Sequence, residues 1–131
     1  AAPLETVWDV LTGFEGWPGW TPDVTSMSLE GAVEEGAVFR WKAGRATITS
    51  TLREVVPPRL VGWTGKTTGI EAAHVWRLEP RGEGTFVRTE ESWQGLLVRL
   101  LRGRMQKSLQ SAVDDGLKHL AAEAERRASL G

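Results

Sequence analysis

An α+β fold, an antiparallel meander of about six strands covered by one long C-terminal helix, is predicted by three features of the sequence. From Val24 to Trp93, apolar and polar side chains alternate between turn signals. From Leu96 to about Arg127, apolar residues return every three or four positions. The chain has 131 residues, which suits a single domain, 1–131, with a core that needs no disulfide or metal staple.

The N-terminal elements come first. Pro3 suits the first position of a short helix, Leu4, Val7, Trp8 and Leu11 follow at helical spacing, and Gly13 ends it. The stretch Phe14 to Pro22 holds too much Gly and Pro for a regular element and predicts a compact aromatic turn. Strand breaks fall at Glu34-Glu35-Gly36, Ala43-Gly44, Pro57-Pro58, Lys66 to Gly69 and Arg81 to Gly84. In the last helix, Val98, Leu101, Met105, Leu109, Ala112, Gly116 and Leu120 form an apolar stripe. Arg102, Gln106, Gln110, Asp114 and Lys118 mark the other side. Gly116 sits on the stripe, which predicts a close backbone approach there.

Alternation also assigns the two faces of the sheet, because paired residues of a hairpin share a face. The turns predict the pairs Phe39 with Ile48, Leu52 with Trp63, Trp63 with His74, Trp76 with Thr89 and His74 with Glu91. One face then collects Phe39, Trp41, Ala46, Ile48, Ser50, Leu52, Val61, Trp63, Ala72, His74, Trp76, Leu78, Val87, Thr89, Glu91 and Trp93. The opposite face collects Arg40, Lys42, Arg45, Arg53, Lys66, Arg77, Glu79, Arg88 and Glu90 and is solvated. His74, Glu91, Ser50 and Thr89 are out of place on a buried aromatic face. Buried polar groups need a partner, water or a ligand, so the pattern predicts a cavity between sheet and helix.

Composition excludes several functions. Lys+Arg is 16 against Asp+Glu 17, so no basic excess points to nucleic acid. The chain has no cysteine, hence no thiolate nucleophile or cysteine metal site, and its two histidines, His74 and His119, are too few for a multi-histidine centre. No metal and no cofactor is implied. No apolar run approaches the roughly 20 residues of a membrane span, so stable membrane insertion is not expected. The first residues lack the basic and apolar regions of a signal peptide, and the expectation is a soluble cytoplasmic protein. Arg99, Arg102, Arg104 and Lys107 read best as the solvated face of a packed helix rather than a lipid-binding patch. Gly82-Glu83-Gly84 is a hairpin turn, not a phosphate loop. Seven Trp against three Phe and no Tyr is unusual, and Trp supplies broad stacking faces.

The run Pro3 to Leu11, followed by Phe14-Glu15-Gly16-Trp17-Pro18-Gly19-Trp20-Thr21-Pro22, resembles the opening of polyketide cyclase/dehydrase-type members of the SRPBCC superfamily. Further matches are Glu54 to Leu60, His74-Val75-Trp76-Arg77-Leu78, Gly84-Thr85 leading to Glu90 through Leu97, and Gly116 to Leu120. The resemblance is diffuse and covers nearly the whole chain. It implies a helix-grip (START-like) fold, a curved sheet wrapped round the C-terminal helix with a deep pocket between them. Members include aromatase/cyclases, lipid and sterol carriers and plant hormone receptors. The family places a strand before its first helix, and this chain begins at the helix. An unpaired sheet edge suits pairing with a second copy of the chain, a homodimer.

The candidate site follows. Trp41, Ile48, Ser50, Trp63, Trp76, Thr89 and Trp93 from the sheet, with Leu101, Met105 and Leu109 from the helix, are the expected ligand-binding residues. His74 and Glu91 are the candidate catalytic pair, since a carboxylate beside an imidazole orients it, favours its protonated form and suits proton transfer in a cyclisation or dehydration. The plainer reading of the pair is a hydrogen bond that fixes two strands. The leading functional reading is binding of a small hydrophobic molecule, aromatic or polyketide-like. The alternatives are a cyclase/dehydratase-type enzyme using His74 and Glu91, and a protein-interaction module with a filled core.

Overall fold

The computed structural model describes residues 2–95, 99–100 and 102–130. Helix α1 spans Leu4–Thr12 and buries Val7, Trp8, Val10 and Leu11, the face that the spacing predicts. Pro3 is the residue just outside it, and the Gly13 N–H closes its end on the Asp9 carbonyl at 3.0 Å. A 3-10 helix follows at Phe14–Gly19. With three residues per turn, it brings Phe14, Trp17 and the following Trp20 to one side.

Six strands then run as a meander: β1 (Val24–Leu29), β2 (Val38–Ala43), β3 (Ala46–Val56), β4 (Leu60–Thr67), β5 (Ile70–Arg81) and β6 (Gly84–Gln94). Each pairs antiparallel with the next, in the order β1-β2-β3-β4-β5-β6. The turns fall where Gly and Pro predict them. Register shifts between Val24 and Ser26 and between Leu52 and Glu54 bend the ladder, and the sheet curves. The pairs Leu52–Trp63, Trp63–His74, His74–Glu91 and Trp76–Thr89 are those expected. One pair is corrected: Phe39 lies opposite Ser50, and Ile48 lies opposite Trp41. The β2–β3 turn sits one residue later than assumed, at Gly44-Arg45 with Ala43 paired to Ala46, and the slip of two residues leaves the inner face unchanged.

Helix α2 spans Arg102–Leu130. The predicted helix start at Leu96 and the stripe residues Val98 and Leu101 lie outside the described residues. Along α2 the buried residues are Leu120, Glu123 and Ala124 only. Its C-terminal half packs on α1 and the sheet, and the carboxylate of Glu123 is held by Arg126. Its N-terminal half stands away from the sheet, so that Ala112 is exposed where the stripe predicts burial. Gly116 corrects another expectation, because a Cβ placed there would meet nothing nearer than Trp76 Cη2 at 3.9 Å.

The core is filled at two places. Leu78 and Leu120 are buried beside α1. Under β2 to β4, Phe14, Phe39, Trp17 and Trp63 pack ring to ring, with centroids 4.5 Å apart for Phe14–Phe39 and 5.6 Å for Phe39–Trp63. Trp17 also donates its indole N–H to the Leu11 carbonyl at 3.0 Å, which ties the 3-10 helix to α1.

Candidate functional site

Between the concave face of the sheet and the N-terminal half of α2 lies a cavity of about 770 Å³. It reaches the surface at Asp23 and Gly44 on one side and at Ser108 and Ala112 of the helix on the other, all of which are exposed or partly so. The space between sheet and helix is therefore not filled by the described side chains. Trp17, Trp20, Trp41, Trp63, Trp76 and Trp93 all contribute to its wall, six of the seven tryptophans of the chain.

Strand alternation carries Trp63, His74 and Trp76 inward on neighbouring strands. The His74 ring lies 4.8 Å from the Trp76 ring in a stacked arrangement and 5.2 Å from that of Trp63. His74 Nε2 is 2.6 Å from Thr89 Oγ1, whose hydroxyl donates to the Val75 carbonyl at 3.1 Å. On the other side of the ring, His74 Nδ1 is 3.5 Å from Glu91 Oε1. The second carboxylate oxygen of Glu91 accepts the Trp93 indole N–H at 2.8 Å. Deeper still, Ser50 is fully buried and its hydroxyl accepts the Trp41 indole N–H at 3.1 Å. Gly65 makes room for it, since a Cβ there would come within 3.0 Å of Ser50 Oγ.

Burial sets the charge states. Desolvation pushes His74 from 6.5 down to about 3, so the ring is neutral at neutral pH. Desolvation also raises Glu91, opposed by the hydrogen bond from Trp93. The expectation of a protonated imidazole beside its carboxylate is thus corrected. At 3.5 Å the two groups lie within ion-pair reach but beyond a normal hydrogen bond, and the loss of water outweighs their attraction. Two further indole N–H groups, of Trp20 and Trp76, are buried with no acceptor among the described residues.

Of the residues expected from the sequence, Trp41, Ile48, Ser50, Trp63, Trp76, Trp93, His74 and Glu91 stand on the cavity wall. Thr89 stands behind it, joined through His74. Met105 and Leu109 line a separate groove with Trp93, Arg99 and Arg102 instead. The helix turns these two side chains past the cavity, and Ser108, Ala112 and Gly116 face it in their place. Leu101 lies outside the described residues. Sequence reasoning left out Trp17, Trp20 and Gly65, and it placed Ala72 on the inner face without counting it as a ligand-binding residue. The signal for the two tryptophans was a spacing of three in an aromatic segment. For Gly65 it was the same alternation that placed Trp63 and His74.

The family described as polyketide cyclase / dehydrase and lipid transport matches residues 1–125. The chain belongs to this family. Solved structures agree on the fold of this polyketide cyclase/dehydrase family member. An aromatase/cyclase from Streptomyces sp. R1128 is 19% identical, with a TM-score of 0.81 over 97% of this chain and 89% of its own. A protein from Thermus thermophilus is 21% identical, with a TM-score of 0.81 over 96% and 92%. A hypothetical protein from Helicobacter pylori is 15% identical, with a TM-score of 0.81 over 94% and 81%. At these identities the likeness shows the helix-grip fold alone. No curated protein matches the chain. No helix among the described residues is long and apolar enough to cross a membrane.

Proposed function

We propose that this polyketide cyclase/dehydrase family member binds a small, largely apolar, planar molecule in the cavity between sheet and helix. The cavity itself carries the reading: about 770 Å³, walled by six tryptophans, with His74, Glu91 and Ser50 as the few convergent polar groups. A volume of this order suits a drug-sized or polycyclic ligand. The similarity to an aromatase/cyclase supports the choice of planar ligands. The test is a titration with polycyclic aromatics, fatty acids and sterols, followed by tryptophan fluorescence. Saturable quenching by one class, lost in Trp76→Leu, supports the proposal. No response to any class sinks it.

Chemistry on the bound molecule is the second reading, favoured by one observation. The neutral His74 presents a free ring nitrogen next to Glu91 on the cavity wall, an arrangement suited to taking a proton from one carbon or oxygen and returning it elsewhere. In His74→Ala, turnover falling far more than affinity supports an acid/base role, and equal losses reduce His74 to a binding contact. Self-association is a further part of the proposal. Strand β6 pairs on one side only among the described residues, and sedimentation equilibrium distinguishes monomer from homodimer.

A further inference from the structure

Hydrogen-bond bookkeeping on the cavity wall leaves one place short of a donor. Thr89 has a single hydroxyl hydrogen and gives it to the Val75 carbonyl. Both contacts are hydrogen bonds at once only when Nε2 carries the hydrogen, so the 2.6 Å contact between Thr89 Oγ1 and His74 Nε2 is assigned to the Nε2–H tautomer. A neutral imidazole has only one N–H, so Nδ1 carries a lone pair. That lone pair faces Glu91 Oε1, a second acceptor, at 3.5 Å. The distance exceeds the normal range for a carboxylic acid donating to nitrogen. In this tautomer two acceptors face each other across a gap on the wall of an accessible cavity, with no donor between them among the described residues.

The charges around the cavity point the same way. The charged side chains on its wall are Asp23 and Glu91, both acidic. The described lining residues include no Lys or Arg, although the chain has 16 of them. The residues outside the described set are Ala, Leu, Val and Gly and hold none either. An anionic ligand would lose its hydration and find no counter-charge. A cation would find two carboxylates and the faces of several indoles, which attract positive charge.

We infer that the cavity is built for a planar ligand bearing a protonated amine, whose N–H groups fill the gap between His74 Nδ1 and Glu91 Oε1 while its ring system lies among the tryptophans. The inference rests on the cavity being a binding site and narrows the chemical class that it takes. It sets the expected ligand apart from fatty acids and other carboxylates of similar size.

The experiment compares three probes of one shape by isothermal titration calorimetry at neutral pH: 2-naphthylmethylammonium, 2-naphthalenemethanol and 2-naphthoate. The ammonium should bind at least about tenfold more tightly than the alcohol, and the carboxylate more weakly than either. In Glu91→Gln the gap between ammonium and alcohol should close. Equal binding of ammonium and alcohol by the wild type, or a carboxylate that binds as well as the ammonium, overturns the charge preference and leaves the cavity reading standing. A gap that persists unchanged in Glu91→Gln overturns the seat assigned to the ammonium. No binding of any of the three overturns the inference together with the binding reading. The wild-type comparison decides on its own if the variant does not fold.

Discussion

Acidification should destabilise this fold through His74, and the size of the effect follows from its burial. In the unfolded chain the imidazole titrates near 6.5, and in the fold it is pushed down to about 3. Between these values the unfolded state binds a proton that the folded state refuses, so stability is lost as pH falls below 6.5. At pH 5 the difference of about 1.5 units corresponds to about 2 kcal/mol relative to pH 8. With an unfolding entropy of about 2.1 cal/mol/K per residue, that is a fall in Tm of about 7 °C for this chain. Glu91 acts in the opposite sense. Its folded pKa is raised, so it contributes stability at low pH that is lost as pH rises through that value. Glu91→Gln removes this opposing contribution. Thermal melts of Glu91→Gln and of the double variant His74→Gln/Glu91→Gln, at pH 8 and pH 5, then isolate His74. The single variant should lose about 7 °C more than the double variant on acidification. Equal losses refute the buried neutral imidazole. A Glu91→Gln variant that gains stability relative to the double variant as pH falls through 6.5 would show that the folded state protonates His74 after all.

Three other substitutions test the packing by the same melts. Gly116→Ala should stabilise the fold by up to about 1 kcal/mol, or roughly 3–4 °C in Tm, because it removes a helix-interior glycine and its methyl meets Trp76 at an ordinary contact distance of 3.9 Å. A lower Tm would mean that the helix lies closer to the sheet than 3.9 Å implies. Gly95→Ala should cost at least about 2 kcal/mol, since Gly95 has φ +125° and a Cβ there would come within 2.5 Å of the Gly69 carbonyl oxygen. Phe39→Ala should cost about 3–5 kcal/mol, because Phe39 is fully buried and stacked on Phe14. A loss below about 1 kcal/mol would show that the 3-10 helix closes over the gap.

Legibility in the sequence followed the range of each interaction. Strand alternation is local, and it placed His74, Glu91, Trp63 and Trp76 on one face before any coordinates. Gly and Pro mark turns by their own backbone preferences, so the meander was readable as well. The pairing of Phe39 was off by two because the position of the turn fixes register, and Ala43-Gly44 does not say where the hairpin closes. Helical periodicity identified α2 but did not say how far along its length it touches the sheet. Met105 and Leu109 follow the same three-and-four spacing as Leu120, yet Leu120 is buried and they border an outer groove. The charge state of His74 was beyond reach for a related reason. A carboxylate on the neighbouring strand predicts an ion pair and the 3.5 Å separation allows one, so only the depth of burial decides for a neutral imidazole.

The partial docking of α2 has an energetic consequence. At about 24 cal/mol per Å³, a dry void of 770 Å³ would forfeit roughly 18 kcal/mol, more than the entire stability of a typical domain. The cavity therefore holds water or a ligand, and its polar groups and open ends allow the water to enter. Solvent on the cavity side leaves the segment Arg102 to Gly116 with no buried residue of its own, in contrast to Leu120, Glu123 and Ala124 further along the same helix. A ligand supplies the packing that the sheet does not. At a concentration one hundred times its Kd it stabilises the bound state by about 2.7 kcal/mol. If that free energy is felt where the ligand touches, amide exchange in Arg102 to Gly116 should slow by up to about one hundredfold on binding. Amides beyond Leu120 already rest on the core and should change less. Uniform slowing along all of α2 would mean that the helix opens as one unit, and its N-terminal half would then not be a separate cover for the cavity.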